Sequence, residues 1–279
     1  MNCVVFGGSG QIGGFLLPRL CADQVATTAF SREPRADAGG VSWRQGRLPG
    51  AVPSLPDAVT AIVCLGPLDH FTEWLERARI SGSPRVVAMS SMSAQSKRDS
   101  PVAAERELAS RLRSSEQRLL ARCRDMGSAC TILRATLIYG GTSGSLERLS
   151  AKARRWHVFP LLRGRGLRQP VHADDLARAV VAALGRPQGE GIVQIGGGER
   201  LQASAMFARA RRQLAVHTLG VPLPHGICHL LAGVSGRGRG VVERLGQDLI
   251  ADNARLIALL GVEPRSFQPQ PPASKGVSS

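Results

Sequence analysis

The sequence predicts an α/β fold: a doubly wound parallel sheet with a smaller C-terminal lobe. Three observations lead there. Short, continuously apolar runs alternate with longer helical patterns through residue 140. The first run passes straight into a cluster of glycines, and the composition shifts toward Gly and Arg after Gly140. Strands that are apolar along their whole length are what a parallel sheet needs when helices cover both of its faces.

The elements follow in order. NCVVF (2–6) reads as a buried strand, and residues 11–20 as the helix after it. VATTAF (25–30) predicts a second strand, GVSWRQG (40–46) a weaker third, and TAIVCLG (60–66) a fourth. HFTEWLERARI (70–80) is a helix and PRVVAMSS (84–91) a fifth strand. A long helix over 101–125 follows, with its apolar side at Leu108, Leu112, Leu119 and Leu120, and ACTILRATLIYG (129–140) begins as a sixth strand. Beyond it, helices are expected at 146–156, 173–184 and 203–215, with a strand at 191–197. The expected division is a core over 1–140, a mixed segment over 141–265 that completes the core and forms the lobe, and a Pro/Ser-rich disordered tail over 266–279.

With 279 residues, 43% of them hydrophobic, the chain has enough apolar material for one large domain. Its net charge is +15, and lysine occurs only at Lys97, Lys152 and Lys275, so the positive charge is almost all arginine. Either an anionic partner or solvated, arginine-rich helix faces would give such a balance. No nucleic-acid motif accompanies the charge, and no nucleic-acid partner is expected. The six cysteines (Cys3, Cys21, Cys64, Cys123, Cys130, Cys228) form no C-x-x-C pair and no metal-ligand spacing. Thiols at Cys3 and Cys64 inside apolar strands act as small hydrophobes, which suits a reduced, cytoplasmic chain. Neither a signal peptide nor a transmembrane segment is expected: the apolar stretch over 221–234 is short and broken by Pro and Gly.

The glycine cluster carries the first functional signal. Gly8, Gly10 and Gly13 satisfy G-x-G-x-x-G, and Gly7, Gly10 and Gly13 satisfy G-x-x-G-x-x-G. The pattern follows a strand and opens a helix, the context in which backbone amides at a helix N-terminus hold a pyrophosphate. Gly7, Gly8, Ser9, Gly10, Gln11, Ile12 and Gly13 are therefore the expected dinucleotide loop. Ser31 and Leu65, Gly66 and Ser90, at the ends of the second, fourth and fifth strands, are placed around the same crevice. A ribose-binding carboxylate would be expected near Phe30 and Ser31, but Arg32 stands there, with Arg35 close by. A guanidinium suits the 2′-phosphate of NADP, so NADP(H) is favoured and NAD(H) stays open.

With GGSGQIGG, RVVAMSS, TILRATLIYG and LRQPVHADDLARAV, the chain resembles the short-chain dehydrogenase/reductase superfamily in its extended or atypical, NAD(P)-dependent epimerase/dehydratase-like branch. The resemblance spans roughly residues 2–200. It implies a Rossmann-like core, a variable substrate lobe and an NAD(P)-dependent oxidoreductase or epimerase acting on a small or nucleotide-linked carbonyl or alcohol. It also implies a homodimer paired through the helices after the fourth and fifth strands. Arg168 resembles the arginine that contacts the diphosphate of a nucleotide-sugar, and His172 shares its segment.

One feature of the family is absent. Its members carry Tyr-x-x-x-Lys on the long helix. Anchoring on Glu116, which resembles the family's helix acid, puts these positions near Leu108 and Leu112. The sole tyrosine is Tyr139, and no lysine lies between Lys97 and Lys152. Another acid/base group, a substrate needing no tyrosine proton, or a silent NADP(H)-binding sensor or scaffold would each account for this. Candidate substitutes are Ser91, which best matches the family's catalytic Ser/Thr, then Lys97 and Tyr139. Each also has a plainer reading, as a strand-end hydroxyl, a solvated lysine and a residue that shapes the site. Arg148, Lys152, Arg154, Arg155, Arg163 and Arg165 would suit a phosphorylated substrate, or one solvated helix face and a loop.

Overall fold

The computed structural model describes residues 1–141, 144–162, 164–214, 216–223 and 246–269. Its centre is a seven-stranded sheet, built from β1 (Asn2–Phe6), β2 (Ala26–Ser31), β3 (Val41–Gln45), β4 (Ala61–Cys64), β5 (Arg85–Ser91), β6 (Cys130–Ala135) and a late strand at Gly191–Ile195. All neighbours are parallel, and the order across the sheet is late strand, β6, β5, β4, β1, β2, β3. The order reverses between β1 and β4, which opens a crevice beyond their C-terminal ends.

Alternation along the strands sorts side chains into two cores, because successive residues point to opposite faces. Cys3, Val5, Val63, Val87 and Leu133 face α1 (Gly13–Ala22) and a later helix at Ala173–Leu184. Val4, Phe6, Ile62, Ala88 and Ile132 face α2 (Leu68–Arg77) and, past the one-turn α3 (Ser93–Ser96), α4 (Ala103–Asp125). Phe71, Leu75 and Leu119 are completely buried there, each contributing about 1.5–3 kcal/mol of hydrophobic stabilisation. The inward face of α4 differs from the leucine face expected: it buries Glu105, Ala109, Ser115, Glu116, Leu119 and Cys123, while Leu108 and Leu112 are half-buried. Burial pushes the Cys3 and Cys64 thiols up to about 12, as expected of cysteines that act as apolar filler.

The expected sixth strand breaks in two. After β6 the chain leaves the sheet at Thr136, whose hydroxyl donates to the Gln169 carbonyl at 2.5 Å, and β7 (Ile138–Tyr139) starts the lobe. There follow α5 (Ser145–Trp156), β8 (Val158–Leu162), β9 (Leu167–Arg168), β10 (Val171–His172) and α6 (Ala173–Leu184). Then come the late strand β11 (Gly191–Ile195), β12 (Leu201–Gln202), α7 (Ala203–Arg212), β13 (Leu219–Leu223) and α8 (Ala254–Leu260). Three two-stranded pairs, β7 with β10, β9 with β12 and β8 with β13, knit this half together.

A third core holds the lobe: Tyr139, Leu146, Ala153, Phe159, Met206 and Phe267. Phe267 corrects the expected tail boundary at 266. It is fully buried, packing edge-on against the Tyr139 ring, so the chain stays anchored through residue 269. The rest of the tail, 270–279, lies outside the described residues, as do Arg163, Cys228 and most of the apolar stretch 221–234. Among the described residues no helix is long and apolar enough to cross a membrane.

Candidate functional site

The glycine loop occupies the crevice between β1 and β4. Gly7 turns the chain at φ +79°, a conformation that favours glycine, and its carbonyl accepts the Gly10 amide at 3.0 Å. A Cβ on Gly13 would overlap the Gly8 carbonyl, so α1 can pack this tightly against the loop only with glycine there. The first turn of α1 has neither a side-chain cap nor a carboxylate. Its amides and the positive end of the helix dipole form a ready anion site. Ile12 drops into the core, and Gln11 donates from Nε2 to the Gly140 carbonyl at 2.5 Å, tying the loop to β7.

A cavity of about 420 Å³ opens above this loop. Gly7, Ser9 and Gly10 line its floor, with Ser31 and Arg32 from the end of β2 and Leu65 and Gly66 from the end of β4. Gly8, Gln11, Ile12 and Gly13 support the loop from outside the cavity lining. Two basic side chains join that the sequence did not single out, a guanidinium and an imidazole. Arg47 enters from the turn after β3, and His70 from α2. Arg47 is positioned by paired backbone hydrogen bonds with Ala51, at 2.7 and 2.8 Å. The turn closes over Phe30 because residue 46 is glycine; a Cβ there would meet the Phe30 ring at 2.8 Å. No carboxylate is among the described residues lining the cavity. Arg35 lies elsewhere, over the Trp43 ring at 5.1 Å.

At the other end of the same sheet edge the side chains are engaged with one another. Ser90 donates to Glu116 Oε1 at 2.6 Å, while Arg134 grips both Glu116 oxygens at 2.7 and 2.5 Å. Glu116 is fully buried, so this bidentate pair is a structural brace between α4 and β6. Ser90 thus belongs to that brace rather than to the cavity. The Ser91 hydroxyl accepts the Ser93 amide at 3.1 Å, starting α3. Lys97, which the plainer reading made a solvated lysine, is buried instead. Its Nζ lies 3.7 Å from Glu105 Oε1, and Ser100 donates to Glu105 Oε2 at 2.8 Å.

The remaining candidates lie in the lobe. Tyr139 is buried, and its hydroxyl donates to the Ser266 carbonyl and accepts the Gln268 amide, both at 3.2 Å. Burial raises its pKa above the ordinary tyrosine value. His172 caps α6 by accepting the Asp174 amide at Nδ1, and its ring packs against Phe15 and Tyr139. Burial, then the Arg265 charge, holds it below the ordinary histidine range. Arg168 is buried on β9 and donates to the Leu167 and Gln247 carbonyls at 2.9 and 2.6 Å. Asp174 and Asp175 gather Arg265, with Arg19 on Asp174 and Arg178 on Asp175.

Residues 69–196 match the model of the NAD dependent epimerase/dehydratase family. The fold around this segment is shared with solved structures of epimerases and dehydratases. Among solved structures, MoeE5 in complex with UDP-glucuronic acid and NAD superposes with a TM-score of 0.74 at 19% identity, over 96% of this chain and 95% of that one. UDP-glucose 4-epimerase from Thermotoga maritima, with UDP-glucose, gives 0.70 at 17%, over 96% and 94%. dTDP-glucose 4,6-dehydratase from Bacillus anthracis, in complex with NAD, gives 0.70 at 14%, over 96% and 92%. No curated protein sequence matches this one. The family segment begins at α2 and ends beside β11, so the glycine loop stands outside it and rests on its own geometry.

Proposed function

We propose that the chain is an NADP(H)-dependent oxidoreductase or epimerase-like enzyme for a small or nucleotide-linked carbonyl or alcohol. The observation that carries this reading is the cavity between β1 and β4, with an uncapped helix at its floor and Arg32 and Arg47 in its walls. The loop and α1 amides would hold a pyrophosphate, and the two guanidiniums a 2′-phosphate that a carboxylate would repel. A bound nicotinamide would supply or accept a hydride. The Ser91 hydroxyl is assigned to the substrate oxygen, and Lys97, paired with Glu105, to its proton. Arg168 is assigned to the substrate's diphosphate, exchanging its Gln247 carbonyl contact for charged oxygens. A homodimer through α2 and α4 and a cytoplasmic location belong to the same proposal.

A second reading, a silent NADP(H)-binding sensor or scaffold, is favoured by leucines, Leu108 and Leu112, near the expected dyad positions and by the committed Tyr139 hydroxyl. One experiment separates the two. The protein is incubated with NADPH deuterated on the nicotinamide ring and a panel of nucleotide-linked 4-keto sugars, and products are analysed by mass spectrometry. Deuterium in a product sugar, lost in Lys97→Met, supports the enzyme. NADPH binding without transfer to any member of the panel supports the silent protein.

A further inference from the structure

We propose that the outer end of the lobe docks peripherally on an anionic lipid surface. Among the described residues, three of the five large apolar side chains left exposed fall at the end of α5 and on the β8–β13 pair: Trp156 (66% exposed), Val158 (41%) and Leu219 (68%). Val158 and Leu219 are direct partners in the parallel β8–β13 pair, so their side chains share one face, while Phe159 turns inward to the core. Trp156 ends α5 two residues earlier. His157 then reverses the chain in the left-handed region at φ +55°, and its ring meets the His217 carbonyl at 3.1 Å. These contacts make the end of α5 and the start of β13 one continuous surface.

Cationic side chains border the apolar trio. Arg148, Lys152 and Arg155 recur at i, i+4 and i+7 and form an exposed stripe on α5, away from its buried Leu146 and Ala153. A cavity of about 510 Å³ opens where α7 turns toward β13, lined by Arg211, Arg212 and His217. Arg211 Nε is engaged with Thr218, at 3.1 Å from its carbonyl, whereas Arg212 and His217 are exposed. The sequence holds no Asp or Glu from Arg148 to Ala173, nor from Arg200 to Val242. Two-thirds of the surplus falls in the second half of the chain, a net +10 over 141–279 against +5 over 1–140.

An exposed Trp with aliphatic neighbours, ringed by Lys and Arg, matches the boundary between acyl chains and phosphate headgroups. A nucleic acid would meet the charges but would gain little from Val158 and Leu219. This inference is independent of the dinucleotide reading.

The test is flotation of the full-length protein with phosphatidylcholine vesicles, with and without phosphatidylglycerol. The expected result is binding only to the anionic vesicles, released by 1 M salt as screening contracts to ~3 Å. Lys152→Glu with Arg155→Glu should weaken binding by at least ~25-fold, from about fivefold per charge near an anionic surface. Trp156→Ala should weaken it about tenfold. Leu219→Ser reads the same apolar face from the other strand if Trp156→Ala perturbs folding by circular dichroism. Equal binding to both vesicle types, no flotation, or folded variants that float like the parent would overturn the proposal. So would retention on single-stranded DNA at physiological salt without vesicle binding.

Discussion

The two ends of one sheet edge are built differently. Beyond β1, β2 and β4 the backbone does the work: glycines shape the turn, Ile12 at the N-cap leaves α1 without a side-chain cap, and Ser31, Arg32 and Arg47 line an open cavity. Beyond β5 and β6 the polar side chains are turned on each other, Ser90 and Arg134 on Glu116, and Lys97 and Ser100 on Glu105. A binding site written in backbone conformation is hard to lose without losing the fold. A reacting site written in a few side chains can change while the sheet beneath it stays intact.

Breaking the engaged end should cost the most. Glu116→Ala would strand the Arg134 guanidinium in the interior, and we expect a loss of about 3–5 kcal/mol in urea unfolding. At the glycine end, Gly13→Ala forces its new methyl into the Gly8 carbonyl, at a cost of about 1–3 kcal/mol. Dinucleotide binding should fall with it, whereas in Glu116→Ala residual binding should track the folded fraction. Calorimetric titration alongside the unfolding curves checks both.

Smaller effects sharpen the contrast in the lobe. Tyr139→Phe removes two hydrogen bonds to the 266–268 backbone and should cost about 1–2 kcal/mol, with hydride transfer unchanged. Its raised pKa means that the stability it contributes is complete below the ordinary tyrosine value of 10 and is lost as pH rises through the higher folded value. The Phe variant should lack that alkaline limb. His172 acts in the opposite sense. With its folded pKa lowered, its contribution is present above 6.5 and is lost as pH falls through the folded value. His172→Asn, which can keep the cap, should flatten that acid limb in thermal melts across pH.

The fold could be read from the sequence because it depends on local pattern. Apolar strands, the glycine run and the helix at 173–184 each declare themselves within about a dozen residues. Arg32 was legible for the same reason, standing directly after a strand. Arg47 was not, because it reaches the cavity only through the parallel β2–β3 pairing and the turn beyond it. Lys97 read as solvated because Glu105, its partner, lies across a loop. Phe267 sits in a segment whose prolines and serines suggest fraying, and only the distant Tyr139 ring explains its burial. The β8–β13 pair joins strands about sixty residues apart, which no periodicity encodes.

Most depends on the proposed dinucleotide site, in which Arg32 and Arg47 would select the phosphorylated form. Calorimetric titration with NADPH and with NADH, on the parent protein and on Arg32→Ala, tests it most directly. The expected result is tighter binding of NADPH, an Arg32→Ala loss of about tenfold or more for NADPH alone, and little change for NADH. Equal affinity for both dinucleotides in the parent, or binding of neither, would contradict it.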